Sequence, residues 1–178
     1  MRALRQHLKN GGVIAYPTES CFGMGCDPRN RDAVKKILRL KKRPQAKGLI
    51  LVAAHMRQLR PYLTPLSPEQ QQRTQATWPG PHTWLIPAAV NCPAWLTGKH
   101  HSIAVRITAH RVTAQLCREA GMALVSTSAN ISGGKATRTT RDCARLFGNR
   151  VMVLPGLIGK QRRPSKIQDI VSGKVIRA

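Results

Sequence analysis

Residues 16–27 read Tyr-Pro-Thr-Glu-Ser-Cys-Phe-Gly-Met-Gly-Cys-Asp, and they follow the apolar residues Val13-Ile14-Ala15. We predict a short buried strand over 13–16 that ends at Pro17, because proline has no N–H to donate to a strand ladder. Hydroxyls, a carboxylate and two closely spaced glycines follow, and glycine lets backbone pass close to another group. Small polar groups at a strand end are typical of ligand sites in α/β folds. An ordinary turn is the alternative for this stretch.

The charge of the chain is strongly unbalanced. Its 178 residues include 30 Lys and Arg against 7 Asp and Glu, a formal net charge of +23. Such a charge concerns partners and solubility rather than fold, and it predicts attraction to nucleoside triphosphates, RNA or both. A generally basic surface is the alternative. Only 4% of the residues are aromatic, which argues against base-stacking platforms for single-stranded nucleic acid.

The length fits a single domain, which we expect over 1–178. No apolar run could span a bilayer and no signal-peptide pattern opens the chain, so we expect a cytoplasmic protein with no membrane partner. The five cysteines are odd in number and form no C-x-x-C pair, which argues against disulfides and zinc. The histidines lack metal-ligand spacing and the carboxylates are few, so we predict no protein-held metal and no paired-carboxylate catalysis.

Helical and strand patterns are spread along the chain and bounded by Gly, Pro and capping residues. The patterns predict helices over 2–10, 31–40, 67–77, 110–120 and 141–147. Strands are predicted over 49–53, 84–87, 102–107, 123–125 and 151–154, with a closing hairpin over 167–177. We predict irregular structure over 93–101 and a mobile basic loop over 156–165, which is either a lid over an anion or simply a solvated loop.

Polar groups recur where these predicted elements end. Arg106 lies near the end of an apolar strand, and a buried arginine needs either a protein carboxylate or an anionic ligand as its partner. Residues 126–134 are rich in hydroxyls and glycines, which form either an anion-binding loop or a simple turn. Cations cluster over 41–47, where they either complement a helix end or bind a polyphosphate.

The common catalytic motifs are absent, including the P-loop, G-x-G-x-x-G, H-E-x-x-H and G-x-S-x-G patterns. No obvious nucleophile remains. The polar groups suit a mononucleotide together with a small molecule that carries a carboxylate. We therefore predict that Thr18, Ser128, Arg106 and the cations of 41–47 meet in one cavity.

Several segments, in order along essentially the whole chain, resemble the YrdC/Sua5 family. They are Pro17-Thr18-Glu19, Phe22-Gly23-x-Gly25-Cys26-Asp27, Lys41-x-Arg43-Pro44, Trp78-Pro79-Gly80-Pro81-x-Thr83, Ala104-Val105-Arg106, Ser126-Thr127-Ser128-Ala129-Asn130-x-Ser132-Gly133 and Pro164-Ser165-x-Ile167. The resemblance implies an α/β (α+β) fold in which helices flank a twisted sheet of parallel and antiparallel strands, with a basic concave face. It also implies that L-threonine, bicarbonate and ATP give threonylcarbamoyl-AMP and pyrophosphate, for N6-threonylcarbamoyladenosine in tRNA.

The resemblance also implies a residue-level site when it is carried over position by position. The ATP-binding residues would be Lys41, Arg43, Lys47, Ser126, Asn130, Ser165 and Arg177. The threonine-binding residues would be Thr18, Arg106 and Ser128. Mg²⁺ would arrive with the ATP, and no tightly bound organic cofactor is expected.

The same resemblance implies a downstream partner, the tRNA threonylcarbamoyltransferase complex (TsaD with TsaB and TsaE), and weak binding to tRNA or double-stranded RNA. The charge of +23 also supports a non-catalytic alternative, a protein that binds tRNA or double-stranded RNA or assists ribosome assembly. A carbamoyl-transfer module of the hydrogenase-maturation type is disfavoured, because zinc-finger cysteines are absent.

Overall fold

The computed structural model describes residues 2–178, and a nine-stranded mixed sheet organises them. The strands are β1 (Ile14–Pro17), β2 (Phe22–Gly25), β3 (Ile50–Ala53), β4 (His82–Pro87), β5 (Ser102–Ile107), β6 (Leu124–Ser128), β7 (Met152–Val153), β8 (Lys166–Asp169) and β9 (Val175–Arg177). The helices are α1 (Arg2–Lys9), α2 (Arg31–Lys41), α3 (Pro68–Gln75), α4 (Ala94–Thr97), α5 (Arg111–Ala120) and α6 (Thr140–Phe147). Short 3₁₀ turns occupy Gln45–Lys47, Met56–Gln58, Arg60–Tyr62 and Gly148–Arg150.

The strand order across the sheet is β7-β1-β2-β6-β3-β5-β4-β8-β9. The pairs β1–β7, β3–β5 and β4–β8 are parallel, and the other neighbours are antiparallel. The expected α/β class with a mixed sheet is therefore confirmed. In this order β2 and β6 lie side by side, although a long stretch of chain separates them.

Helices cover both faces of the sheet, as β1 shows. Ile14 and Tyr16 pack in one apolar cluster with residues of α1 and α5, whereas Ala15 packs in another with residues of α2 and α6. Successive strand residues point to opposite faces, so the two clusters are the two layers of core. No helix within residues 2–178 has the length and apolar character to cross a membrane.

Local signals explain most element boundaries. Asn30 caps α2 by accepting from the Ala33 N–H, and Ser67 forms a capping box with Gln70 at the start of α3. Gly121 ends α5 in the left-handed conformation, with φ of 72°.

Two predicted features need correction. Residues 22–25 form strand β2 rather than a loop after β1, so the quoted stretch is a hairpin that turns over Thr18–Cys21. The sequence predicts irregular structure over 93–101, but Ala94–Thr97 is one helical turn. Glycines lower strand propensity. Here the β2 glycines are required because neighbouring groups come too close for a side chain.

Gly25 shows this constraint most directly. A Cβ at Gly25 would lie 2.2 Å from the Val125 carbonyl oxygen of β6, a backbone atom that cannot move independently. A Cβ at Gly23 would lie 2.9 Å from Cγ2 of Thr18. Glycine at 25 therefore allows the close packing of β2 against β6.

We expect Gly25→Ala to lower the free energy of unfolding by about 3 kcal/mol, because the new methyl group collides with backbone. Gly134→Ala is the control, since Gly134 is exposed and the nearest atom to an added methyl group there would be 3.2 Å away. Urea unfolding followed by circular dichroism measures both values. Equal losses in the two variants would contradict the constraint at position 25.

Candidate active site

A cavity of about 440 Å³ opens where β2, β3, β5 and β6 lie side by side. Nine of the ten predicted site residues line it, namely Thr18, Arg43, Lys47, Arg106, Ser126, Ser128, Asn130, Ser165 and Arg177. Residues from distant parts of the sequence therefore meet at one place, as the predicted convergence requires. Lys41 does not line the cavity.

Thr18 occupies the turn between β1 and β2. Its side chain is buried, and its Oγ1 donates to the Cys21 carbonyl at 2.8 Å, which closes the turn. Gly23 passes close to its methyl group. The hydroxyl oxygen thus has a defined position, and its acceptor capacity remains for a ligand.

Arg106 is a buried guanidinium on β5 that lines the cavity. Its Nη2 lies 3.4 Å from Oε2 of Glu19, and its Nε has no hydrogen-bond partner among the described residues. The sequence left open whether a protein carboxylate or a ligand pairs with Arg106. The structure supplies a carboxylate at ion-pair distance, and Arg106 also lines the cavity, where an anionic ligand would meet its positive charge.

Lys41, at the end of α2, is almost fully buried behind the cavity wall. Its Nζ donates to the carbonyl of Ser128 and, at 2.8 and 3.0 Å, to the carbonyl and side-chain Oδ1 of Asn130. An ammonium has three N–H donors, and all three are engaged here. Burial lowers the pKa of Lys41 to about 8, and the nearby Arg43 guanidinium contributes to this lowering. In this structure Lys41 holds the loop after β6 in place and has no free donor for a phosphate.

Arg43 and Lys47 lie on the segment that joins α2 to β3. Arg43 Nη2 donates to the Gly48 carbonyl at 2.9 Å, and its buried Nε has no partner among the described residues. Burial lowers the pKa of Arg43 below its ordinary value. Lys47 ends a 3₁₀ turn and is exposed at the cavity rim. These two cations provide unused N–H donors on one side of the cavity.

The end of β6 supplies the hydroxyl and amide groups. Ser126 is buried in the strand, and Ser128 Oγ donates to Asn130 Oδ1 at 2.6 Å. Asn130 Nδ2 donates to the Gly134 carbonyl at 2.6 Å, and this hydrogen bond joins the two ends of the loop over residues 130–134. Ser128 and Asn130 are therefore held as one hydrogen-bonded unit.

The C-terminal hairpin closes the cavity from the other side. Arg177 on β9 donates from Nε and Nη2 to the Ser165 carbonyl at 3.0 and 2.7 Å, and Ser165 Oγ shares a 2.9 Å hydrogen bond with Thr83. The pKa of Arg177 is lowered, first by burial and then by the positive charge of Arg106.

The cavity is strongly cationic. None of its lining residues, within the described chain, is a carboxylate. Sequence reasoning missed further polar lining residues, namely Ser20, Cys21, Thr97, His100, Ser102 and Thr127. Ser20 and Cys21 were within the quoted stretch and Thr127 within the β6 motif, but Thr97 and His100 had no signal because their segment carried no recognisable pattern.

The chain is similar to known proteins over almost its whole length. The Sua5/YciO/YrdC family model, described as telomere recombination, matches residues 6–178. The chain is 58% identical over 176 residues to the threonylcarbamoyl-AMP synthase of Methylobacillus flagellatus, covering 99% of this chain and 98% of that one. It is 52% identical to the synthase of Thiobacillus denitrificans, covering 98% and 93% of the two chains.

A solved structure is similar throughout the fold. Sua5 of P. abyssi complexed with L-threonine superposes with a TM-score of 0.88 and 28% identity. The match covers 94% of this chain and 50% of that chain. This chain therefore spans about half the length of that Sua5.

We expect Lys41→Met to lower the free energy of unfolding by about 2–3 kcal/mol, because three acceptors lose a charged donor. Amide hydrogen exchange over 128–132 should become faster in the same variant. Lys42→Met is the matched control, since Lys42 is the adjacent lysine and is less buried. If both variants exchange and unfold alike, the tethering role of Lys41 is wrong.

Proposed function

Because the chain belongs to the Sua5/YciO/YrdC family, we infer that it is a threonylcarbamoyl-AMP synthase, an ATP-using nucleotidyltransferase of tRNA modification. The observation that carries this inference is the cationic cavity. Four cationic side chains, Arg43, Lys47, Arg106 and Arg177, line a volume of about 440 Å³ that hydroxyl groups also line. That combination suits a polyanionic nucleotide beside a small carboxylate-bearing substrate.

The threonine half of the site is centred on Arg106. A guanidinium presents paired N–H donors that match the two oxygens of a carboxylate, and Arg106 lines the cavity without a hydrogen bond to Glu19 Oε2. Thr18 lines the same cavity and offers its hydroxyl oxygen. Support comes from the Sua5 relative, whose structure was determined with L-threonine.

The nucleotide half uses the remaining cations and the loop after β6. Arg43, Lys47 and Arg177 would neutralise the phosphates, and Ser126 and Asn130 would supply polar contacts to the nucleotide and the reacting centre. Lys41 would support this half indirectly, because its ammonium fixes the carbonyls of the loop. This changes the expected role of Lys41 from a phosphate ligand to a support.

The proposed reaction needs no protein nucleophile. The threonine amine adds to CO₂ derived from bicarbonate and loses a proton, which forms a carbamate. A carbamate oxygen then attacks the α-phosphorus of ATP, the bond from that phosphorus to the bridging oxygen breaks, and pyrophosphate leaves with the electron pair. The protein contributes positioning and neutralisation of charge on the phosphates.

Mg²⁺ would enter with ATP as part of the substrate. Among residues 2–178 no group of three His, Cys, Asp or Glu side chains is placed to hold a metal ion. The hydroxyl oxygens of Ser126 and Ser128, which line the cavity, suit the few protein contacts that a phosphate-bound magnesium makes. The adenylate product would pass to the tRNA threonylcarbamoyltransferase complex (TsaD with TsaB and TsaE).

We expect purified protein to release pyrophosphate from ATP only when L-threonine and bicarbonate are present. Arg106→Ala should lower kcat/KM for threonine by about 100-fold or more, because the substrate carboxylate loses its buried partner. Binding of ATP, measured by calorimetry, should persist. Arg57→Ala removes an exposed cation outside the cavity and serves as the charge-matched control.

Threonine-independent release of pyrophosphate, or normal turnover in Arg106→Ala, would contradict the proposed threonine site. Arg106→Lys is measured in parallel, since it retains a cation for Glu19 if Arg106→Ala fails to fold. Melting temperatures of all variants separate loss of fold from loss of function.

The net charge of +23 also favours contact with RNA. If the enzyme docks on tRNA, binding should weaken steeply between about 50 and 200 mM salt in proportion to the phosphates contacted, following the counterion-release relation. Filter binding at several salt concentrations measures the slope. Salt-independent binding would contradict a phosphate-dominated contact, and tight RNA binding without turnover would favour the non-catalytic alternative.

A further inference from the structure

Glu19 is a buried carboxylate beside the cavity that the proposed reaction leaves unused. It is 8% exposed, and it follows Thr18 in the β1–β2 turn. Its neighbours Thr18 and Ser20 line the cavity, but Glu19 does not. Any effect of its charge on the substrates would therefore pass through another residue.

One oxygen of the carboxylate is fixed by the protein. Oε1 of Glu19 accepts a 2.6 Å hydrogen bond from Oγ1 of Thr108, which itself accepts from the His110 N–H at 3.1 Å. The backbone carbonyl of Glu19 accepts from Gln161 at 3.1 Å. Gly159 packs so closely on that carbonyl that a Cβ would lie 2.6 Å away. Glu19 is thus held at both its backbone and its side chain.

The other oxygen faces Arg106. Oε2 of Glu19 lies 3.4 Å from Nη2 of Arg106, an ion-pair distance at which no hydrogen bond forms. Both groups are buried, with 9% and 11% of the Arg106 and Glu19 side chains exposed. The pair therefore balances charge without consuming the N–H donors of the guanidinium.

The geometry of this ion pair is unfavourable for the stability of the fold. Buried Glu19 Oε2 and Arg106 Nε both lack hydrogen-bond partners among the described residues. Unpaired buried polar atoms destabilise a fold, and their persistence beside a cavity is a reason to look for a functional role. Arg106 is the member of the pair that lines the cavity, so a ligand there would meet its donors first.

We propose that Glu19 is a positioning residue for Arg106, whose guanidinium it holds in place through the buried ion pair so that its N–H donors meet the carboxylate of L-threonine. The proposal rests on the proposed synthase function. Thr108 contributes to the same positioning, because its hydroxyl orients the Glu19 carboxylate. Neither residue is required to touch a substrate.

The first test is Glu19→Gln, which preserves shape and removes the charge. With Oε1 still bonded to Thr108, the amide nitrogen would face the Arg106 guanidinium, donor against donor. We expect KM for L-threonine to rise about tenfold, the size of coupling usual for directly contacting residues. KM for ATP and kcat at saturating threonine should change by less than about twofold, because those quantities do not depend on this donor pair.

The second test uses a matched pair at Thr108. Thr108→Val removes the hydroxyl but preserves shape, and it should raise KM for threonine in the same direction as Glu19→Gln. Thr108→Ser retains the hydroxyl and should restore the wild-type KM. This pair keeps the proposal falsifiable if Glu19→Gln does not fold. Equal KM values in the Val and Ser variants would overturn the proposal.

The third test asks whether Glu19 acts through Arg106. In an Arg106→Lys background, Glu19→Gln should change KM for threonine by less than about twofold, because lysine lacks the paired N–H donors that Glu19 would orient. Asp27→Asn is a control for the loss of any buried carboxylate, since Asp27 pairs with Arg29 and does not line the cavity. That variant should lower the melting temperature without raising KM for threonine.

The outcomes separate this proposal from the function on which it rests. If the wild type shows no threonine-dependent turnover, the synthase function fails and this inference fails with it. If the wild type turns over but Glu19→Gln has an unchanged or lower KM for threonine, only the positioning role is overturned. A lower KM would show that Glu19 competes with the substrate carboxylate. A tenfold rise that persists in the Arg106→Lys background would also overturn it.

Discussion

The antiparallel contact between β2 and β6 is the constraint on which the cavity depends. Gly25 lies so near the Val125 carbonyl that any side chain would collide with backbone, and Gly23 and Met24 pair with Ser128 and Thr127. This pairing puts the β1–β2 turn, with its hydroxyl and carboxylate, beside the loop that follows β6. Two polar strand ends that lie far apart in the sequence therefore form adjoining walls of one site.

The polar groups at the cavity are held in place by hydrogen bonds within the protein. Lys41 fixes the loop after β6, Thr108 fixes Glu19, and the Ser165 carbonyl accepts from Nε and Nη2 of Arg177. Such support keeps the lining groups in position before a substrate arrives, which lowers the entropy lost on binding. The same hydrogen bonds explain how the fold accommodates buried cations although the chain has few carboxylates. Their charge is offset by backbone carbonyls and by one well-placed glutamate, and the remaining donors are left for anions.

Sequence patterns predicted most of the helices and strands, and nine of the ten predicted site residues line one cavity. Thr18, Arg106 and Ser128 could be singled out because polar groups at the ends of apolar strands have few structural explanations. Strand β2 was missed because its glycines have low strand propensity, and only the approach of neighbouring groups such as Val125 explains them. The pairing of Arg106 with Glu19 could not be deduced, because β5 and the β1–β2 turn come together only through the strand order. The buried position of Lys41 could not be deduced either, because a lysine at a helix end usually extends into solvent.

Guanidinium N–H donors that have no partner within residues 2–178 connect the fold to the proposed reaction. In the proposed reaction, adenylyl transfer to a carbamate would build charge on oxygen atoms, and groups that stabilise this charge must already be oriented and shielded from water when it develops. Arg43 and Arg106 each retain a buried Nε with no partner among the described residues, and both side chains line the same cavity. Each such atom costs about 1–3 kcal/mol of stability when no anion is bound. An anion bound by these guanidinium groups would offset that cost, so we expect substrate binding to stabilise the fold.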